Sequence, residues 1–304
     1  MNDRVRIGGP QRAGACTMKN AVIGSILVGF AFMFPAPADA AGLKPRRIDI
    51  EYVAPKSPGH RELYERLKQH RVLEKIRDVL APLRLPRRLL VKTEGCDGVQ
   101  NAWYDEGAVT VCYEFLDVLW KNVAQQTTPA GLEPIDTLVG PLVDVFLHEM
   151  GHATFDLLRI PVLGREEDAA DYFSVYIMLH FGKDEARRLI MGNAYQYKPD
   201  LQGSWTGQKF ANEHGTPAQR FYNVLCLAYG ADEKLFQDVV DKGYLPKDRA
   251  DGCDSEYAQV AYAFEKLIQP YIDRNLARRL HKSWLPPVTV RPPYRAESTS
   301  ATAR

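Results

Sequence analysis

Of the seven histidines in this chain, two stand four apart in His148-Glu149-Met150-Gly151-His152. On a helix that spacing puts both imidazoles on one face, where they reach a single ion. Glu149, beside the first of them, is turned far enough away to miss the ion yet reaches water next to it. Zinc hydrolysis needs this arrangement: the metal brings the pKa of its water to ~7, and a general base alongside collects the proton. Two imidazoles do not complete a catalytic zinc site, which takes three protein ligands and leaves one position open.

The third ligand is sought in Gly164-Arg165-Glu166-Glu167-Asp168-Ala169-Ala170-Asp171. Glu167 and Asp171 share a helix face. Glu167 reads as the third metal ligand, and Asp171 as acceptor for the far nitrogen of a ligating histidine, a bond that fixes the tautomer and raises ligand basicity. Acids also gather at a helix N-terminus to answer its dipole, and Glu166 and Asp168 are read that way. Zinc is inferred from ligand type; manganese or cobalt would accept the same donors, because these ligands alone do not encode selectivity. Hydrolysis of a carbonyl substrate at such a metal also creates an oxyanion, and His214 is the candidate donor for it; the competing reading is a structural hydrogen bond near a helix N-cap. Tyr195 and Tyr197 are weaker rivals. Trp205 reads either as pocket lining or as a packing plug. His60, His70, His180 and His281 have no companion residues and are read as surface or packing histidines.

These residues need elements to hold them. Residues 136–158 read as one long helix carrying the histidines, and 166–180 as a second carrying the carboxylates, with Gly182 as its stop. Residues 46–52 and 89–93 read as strands. Residues 101–104 and 109–113, joined by Asp105-Glu106-Gly107, read as a hairpin. Helices are expected over 62–80, 114–124 and 259–276, and another from Thr216-Pro217 to Gly230. Residues 193–212 read as a long loop, a length usually kept for binding.

Residues 1–40 read as a signal peptide: a basic start, the apolar run 21–34, and Ala38-Asp39-Ala40 as the cleavage signal, with Met18 a natural alternative start. Residues 41–284 are the expected folded domain, and the Pro- and Ser/Thr-rich residues 285–304 a disordered tail. An exported chain would keep Cys96, Cys112, Cys226 and Cys253, an even set with no Cys-x-x-Cys spacing; disulfides Cys96–Cys112 and Cys226–Cys253 are favoured as the sequence-local pairing. A net charge of +1 gives no reason to expect nucleic acid or an anionic membrane as partner. No stable membrane insertion is expected once the signal is removed.

His-Glu-x-x-His followed by a helix with Glu-x-x-x-Asp resembles the gluzincin metallopeptidases. That resemblance implies His148, His152 and Glu167 as ligands, Glu149 as base and Asp171 as the carboxylate behind a ligand. Asn101-Ala102-Trp103-Tyr104 resembles the Asn-Ala-aromatic edge strand that holds extended substrate in such enzymes through main-chain hydrogen bonds; the plain reading is a hairpin strand with Trp103 in the core. Together with Cys112-Tyr113-Glu114, Glu213-His214 and Gln219-Arg220-Phe221-Tyr222-Asn223, the motifs over about residues 50–275 resemble a bacterial metallopeptidase family of unassigned function. The implied fold is α+β and zincin-like: a small twisted sheet packed on the metal-bearing helix, with a mostly helical C-terminal half. The implied activity is an exported zinc peptidase acting on peptide or protein. The rival readings are an inactive binding protein on the same scaffold and a zinc hydrolase of a non-peptide amide.

Overall fold

A computed structural model describes residues 47–198 and 211–275, all within one compact unit. The expected signal peptide, Trp205, His281 and the expected tail lie outside the described residues. Four strands form one mixed sheet: β1 (Ile48–Tyr52), β2 (Leu89–Glu94), β3 (Ala102–Asp105) and β4 (Ala108–Cys112), in the order β1-β2-β4-β3. β1 and β4 run parallel to β2, and β3 closes antiparallel on β4 as an edge strand. The hairpin turns at Glu106 and Gly107, both at positive φ, as a two-residue loop matched to strand twist requires. Along β2 burial alternates, with Leu89, Val91 and Thr93 inside.

The helices are α1 (Arg61–Gln69), α2 (Val72–Leu80), α3 (Tyr113–Lys121), α4 (Asp136–Leu158), α5 (Glu166–Leu179), α6 (Lys183–Gln196), α7 (Pro217–Ala231), α8 (Glu233–Asp241), α9 (Lys247–Ala250) and α10 (Cys253–Leu267). The architecture is therefore α+β, with helices filling the C-terminal half. Among the described residues no helix is long and apolar enough to cross a membrane.

Several expected boundaries are corrected. The helix expected over 62–80 is two helices broken at Arg71, which lies at φ 53°. From Leu67 to Leu73 the apolar face slips by six residues, roughly 240° around a helix, so one straight helix could not bury both. Gly182 does not stop α5, which ends at Leu179; it stands at the N-cap of α6. Residues 193–196 of the expected loop belong to α6, which runs on to Gln196 and buries Asn193, and residues 199–210 of it lie outside the described residues. Gly230 lies inside α7, where a Cβ would fall 2.0 Å from the Cys253 carbonyl oxygen; it lets α10 approach and does not end the helix. The helix expected over 259–276 instead begins at Cys253 and ends at Leu267. Thr216 caps α7 as expected, and its hydroxyl and the Gln219 side chain complete a reciprocal capping box.

Of the 23 residues of α4, 18 are buried, so the helix is enclosed by the sheet on one side and by α5 and α6 on others. Two glycines make the α4–α6 approach possible. A Cβ at Gly192 would fall 2.1 Å from the Asp136 carbonyl oxygen, and one at Gly140 would fall 2.4 Å from the Asn193 nitrogen. Both clashes are with backbone, which cannot rotate away. Gly192→Ala is therefore expected to cost about 1–3 kcal/mol. It should lower the urea midpoint with little change in slope; a midpoint equal to that of the wild type would contradict this close helix contact.

Candidate metal centre

α4 presents Asp144, His148 and His152 one turn apart on a single face, and α5 lies against it. Gly151, inside the histidine motif, allows that contact: its missing Cβ would stand 3.2 Å from the Ala170 Cα and 3.3 Å from the Phe173 ring. The first turn of α5 thereby brings Glu167 and Asp171 to the histidines. His148 Nδ1 lies 2.8 Å from Asp171 Oδ1, and His152 Nδ1 lies 2.8 Å from Glu166 Oε1. In the neutral form that a metal ion requires, an imidazole donating from Nδ1 to a carboxylate presents a bare lone pair at Nε2.

Those two Nε2 atoms are 3.3 Å apart, and Glu167 Oε2 lies 3.0 Å from the first and 3.4 Å from the second. Three lone-pair donors thus face one point. Tetrahedral zinc with bonds of ~2.1 Å needs neighbouring donors ~3.4 Å apart. The donor set therefore fits a divalent ion such as zinc, in both type and spacing. The electrostatics agree. Burial opposes charge on His148, yet Asp171 and Glu167 outweigh it and raise the imidazole to about 10. Burial likewise opposes charge on Glu167, but the imidazoles around it hold its carboxyl far below the usual range. Concentrated anionic character here calls for a cation.

Behind the donors runs a second layer. Arg220, from α7, grips Asp171 with two hydrogen bonds, Nε to Oδ2 at 2.8 Å and Nη2 to Oδ1 at 2.6 Å. Burial alone would raise the Asp171 carboxyl, but Arg220 and His148 pull it down to about 2. The Arg220 guanidinium also lies 5.1 Å over the ring of Tyr197, which is buried at the end of α6 rather than placed on a loop. Asp144 is buried too; desolvation and the nearby Asp171 raise its carboxyl, while Ser174 Oγ donates to it at 2.6 Å. Gln196 approaches its other oxygen at 3.4 Å. Sequence reasoning missed Asp144, Ser174 and Gln196 and gave Arg220 no role. Only Asp144 carried a visible signal, its position one helical turn before His148.

A cleft of about 320 Å³ opens over the donors, with Asn101, Ala102, Trp103, Glu149 and His214 among its lining residues. Glu149 is 7% exposed, and burial raises its carboxyl. Its carboxylate makes no hydrogen bond within the described residues. His214 reaches the same place, with Nε2 2.8 Å from Glu167 Oε2. Trp103 is half-buried on the edge strand and lines the cleft, so it is not a core plug. Tyr195 stays partly buried near the end of α6. His60 packs on Tyr113, and His180 on Tyr176. Both expected disulfides are formed, with Cα separations of 5.6 Å and 5.0 Å. Cys96 and Cys112 are therefore unavailable to a metal, although Glu114 lies beside them.

A family model described as "Putative metallopeptidase" matches residues 52–268. No curated protein and no solved structure matches the chain.

The Asp171–Arg220 pair should contribute to the pH response of stability. Asp171 titrates at about 2 in the folded chain, against ~3.9 unfolded. Its contribution is therefore fully present above pH ~4 and is lost as the pH falls toward 2. Arg220→Met leaves the buried Asp171 carboxylate with His148 as its remaining partner and should cost about 3–5 kcal/mol at pH 7. The gap from wild type should narrow by pH 3, measured by urea unfolding at each pH. A gap independent of pH would refute the pairing.

Proposed function

The chain belongs to the metallopeptidase family matched over residues 52–268, and we propose that it is a zinc-dependent peptidase acting on extended peptide outside the cytoplasm. The observation that carries this reading is the convergence of His148 Nε2, His152 Nε2 and Glu167 Oε2 beside a buried carboxylate, Glu149, that faces the same cleft. His148, His152 and Glu167 would hold the ion, with Asp171 and Glu166 fixing the tautomers of the two imidazoles. Bound there, zinc supplies the Lewis acidity that makes water a nucleophile at neutral pH.

The edge strand is suited to hold the substrate. The Asn101 carbonyl accepts from the Cys112 amide at 3.2 Å, so Asn101 and Trp103 direct their backbone groups toward β4. By the alternation of an antiparallel pair, Ala102 and Tyr104 direct theirs to the outer edge. An extended peptide would add there as a further strand, with its scissile carbonyl over the donors. Glu149, kept poorly solvated and unengaged, would take the proton from the attacking water and deliver it to the leaving amine. The His214 imidazole stands where an N–H could steady the oxyanion. Export is supported by the leader-like first 40 residues and by two disulfides, which form and persist in oxidising compartments.

Three preparations test the reading: wild type, Glu149→Gln and Glu167→Ala, each assayed for bound zinc and for cleavage of denatured protein. The wild type should hold one zinc and lose activity to a chelator. Glu149→Gln should keep the zinc and lose about 10²–10⁴-fold in rate. Glu167→Ala should bind zinc more weakly than the wild type. A well-folded wild type that takes up no zinc would leave a binding protein on a peptidase scaffold.

A further inference from the structure

His214 differs from the two histidines of α4 in how it is held. His148 and His152 stand on a buried helix, with side chains 6% and 14% exposed, whereas the His214 side chain is 38% exposed. It comes from the non-helical residues just before α7. Its position is nevertheless built: its backbone N–H donates to the Asn212 side chain at 2.9 Å, and Thr216 two residues on is locked into the capping box. Its ring stands 5.9 Å from that of His148, at an interplanar angle of 20°. His148, Glu167 and His214 each offer a ligand atom, all within 4.8 Å of one another. One oxygen, Glu167 Oε2, thus has His148, His152 and His214 nitrogens around it at 3.0, 3.4 and 2.8 Å.

We infer that His214 is a fourth protein donor to the metal in the resting chain, so that the site is closed until this imidazole is displaced. The inference rests on the reading of His148, His152 and Glu167 as ligands. A tetrahedral site with four protein donors has no room for water or substrate, which is how structural zinc sites differ from catalytic ones. Here the fourth donor is the one most able to leave, because it is half-exposed and carried by no helix. Peptide entering along β3 crosses the same cleft that His214 lines. The incoming chain would turn the imidazole off the donor set and leave its N–H beside the scissile carbonyl. The resting protein would then be latent, with its selectivity set partly by which peptides can displace His214.

The test counts imidazoles around zinc by X-ray absorption in the full exported chain, and measures zinc affinity by competition with a chelator. The wild type should show three imidazoles. His214→Ala should show two and bind zinc about 10–100-fold more weakly, at least the loss expected for removing a residue that only orients a ligand. Two imidazoles in the wild type, or unchanged affinity in His214→Ala, would overturn the proposal while leaving the peptidase reading intact, with His214 as a donor to Glu167 or the oxyanion. A wild type that binds no zinc would overturn both. The wild-type count decides the question even if the variant folds poorly.

Discussion

A helix enclosed on all sides cannot leave its polar side chains without partners, and α4 carries Asp144, His148 and Glu149 in such surroundings. Burying a polar group without a hydrogen bond costs about 1–3 kcal/mol, and burying a charge costs more. The neighbouring helices meet that demand. Ser174 and Asp171 on α5 answer Asp144 and His148, and Arg220 on α7 answers Asp171. Glu149 is the exception. It is buried beside the cleft with no hydrogen bond in the described residues, so its carboxylate retains the basicity that pairing would remove.

Donor spacing depends on backbone approach as much as on side-chain identity. Two residues four apart on one helix are aimed by the helix itself. A third donor from another helix must be placed by the distance between axes, and an error of an ångström would take Glu167 out of reach. Gly151 sets that distance at the middle of α4, where the Ala170 and Phe173 atoms occupy the space a Cβ would fill. Gly140 and Gly192 do the same toward α6, which brings Gln196 to Asp144 and Tyr197 to Arg220. Within His148-Glu149-Met150-Gly151-His152, Gly151 thus sets the spacing of the donors without being one of them.

The parts legible in the sequence were those whose partners lie close along the chain. The two histidines, the Glu167–Asp171 pair, the hairpin with its Glu106-Gly107 turn and the capping box at Thr216 each declare themselves within a few residues. The α+β class followed from the same local signals. The α6 helix was hidden because its amphipathic signal is weak: Ala186, Leu189, Ile190 and Ala194 are interrupted by Gly192 and Asn193, which look like loop residues and serve as a contact surface. The break at Arg71 was hidden because two apolar faces out of phase resemble one long helix when only counted. Arg220 lies 49 residues from Asp171, and no spacing rule links an arginine on one helix to a carboxylate on another. Asp144 stood in plain view, but its meaning depends on Ser174 and Gln196.

The disulfides act on the walls of the cleft rather than on its floor. Cys96–Cys112 spans 16 residues and encloses β3, tying the chain just beyond the end of β2 to the end of β4. Cys226–Cys253 ties α7, which carries Arg220, to α10. A bridge closing a loop of this size is worth on the order of 3 kcal/mol, comparable to the cost of a lost buried ion pair. The floor, α4 with the first turns of α5, contains neither bridge and is held by packing against the sheet and α6. Reduction would therefore loosen β3 and α7 while leaving the histidines in place. The four cysteines thus tie the walls of the cleft to conditions in which disulfides persist.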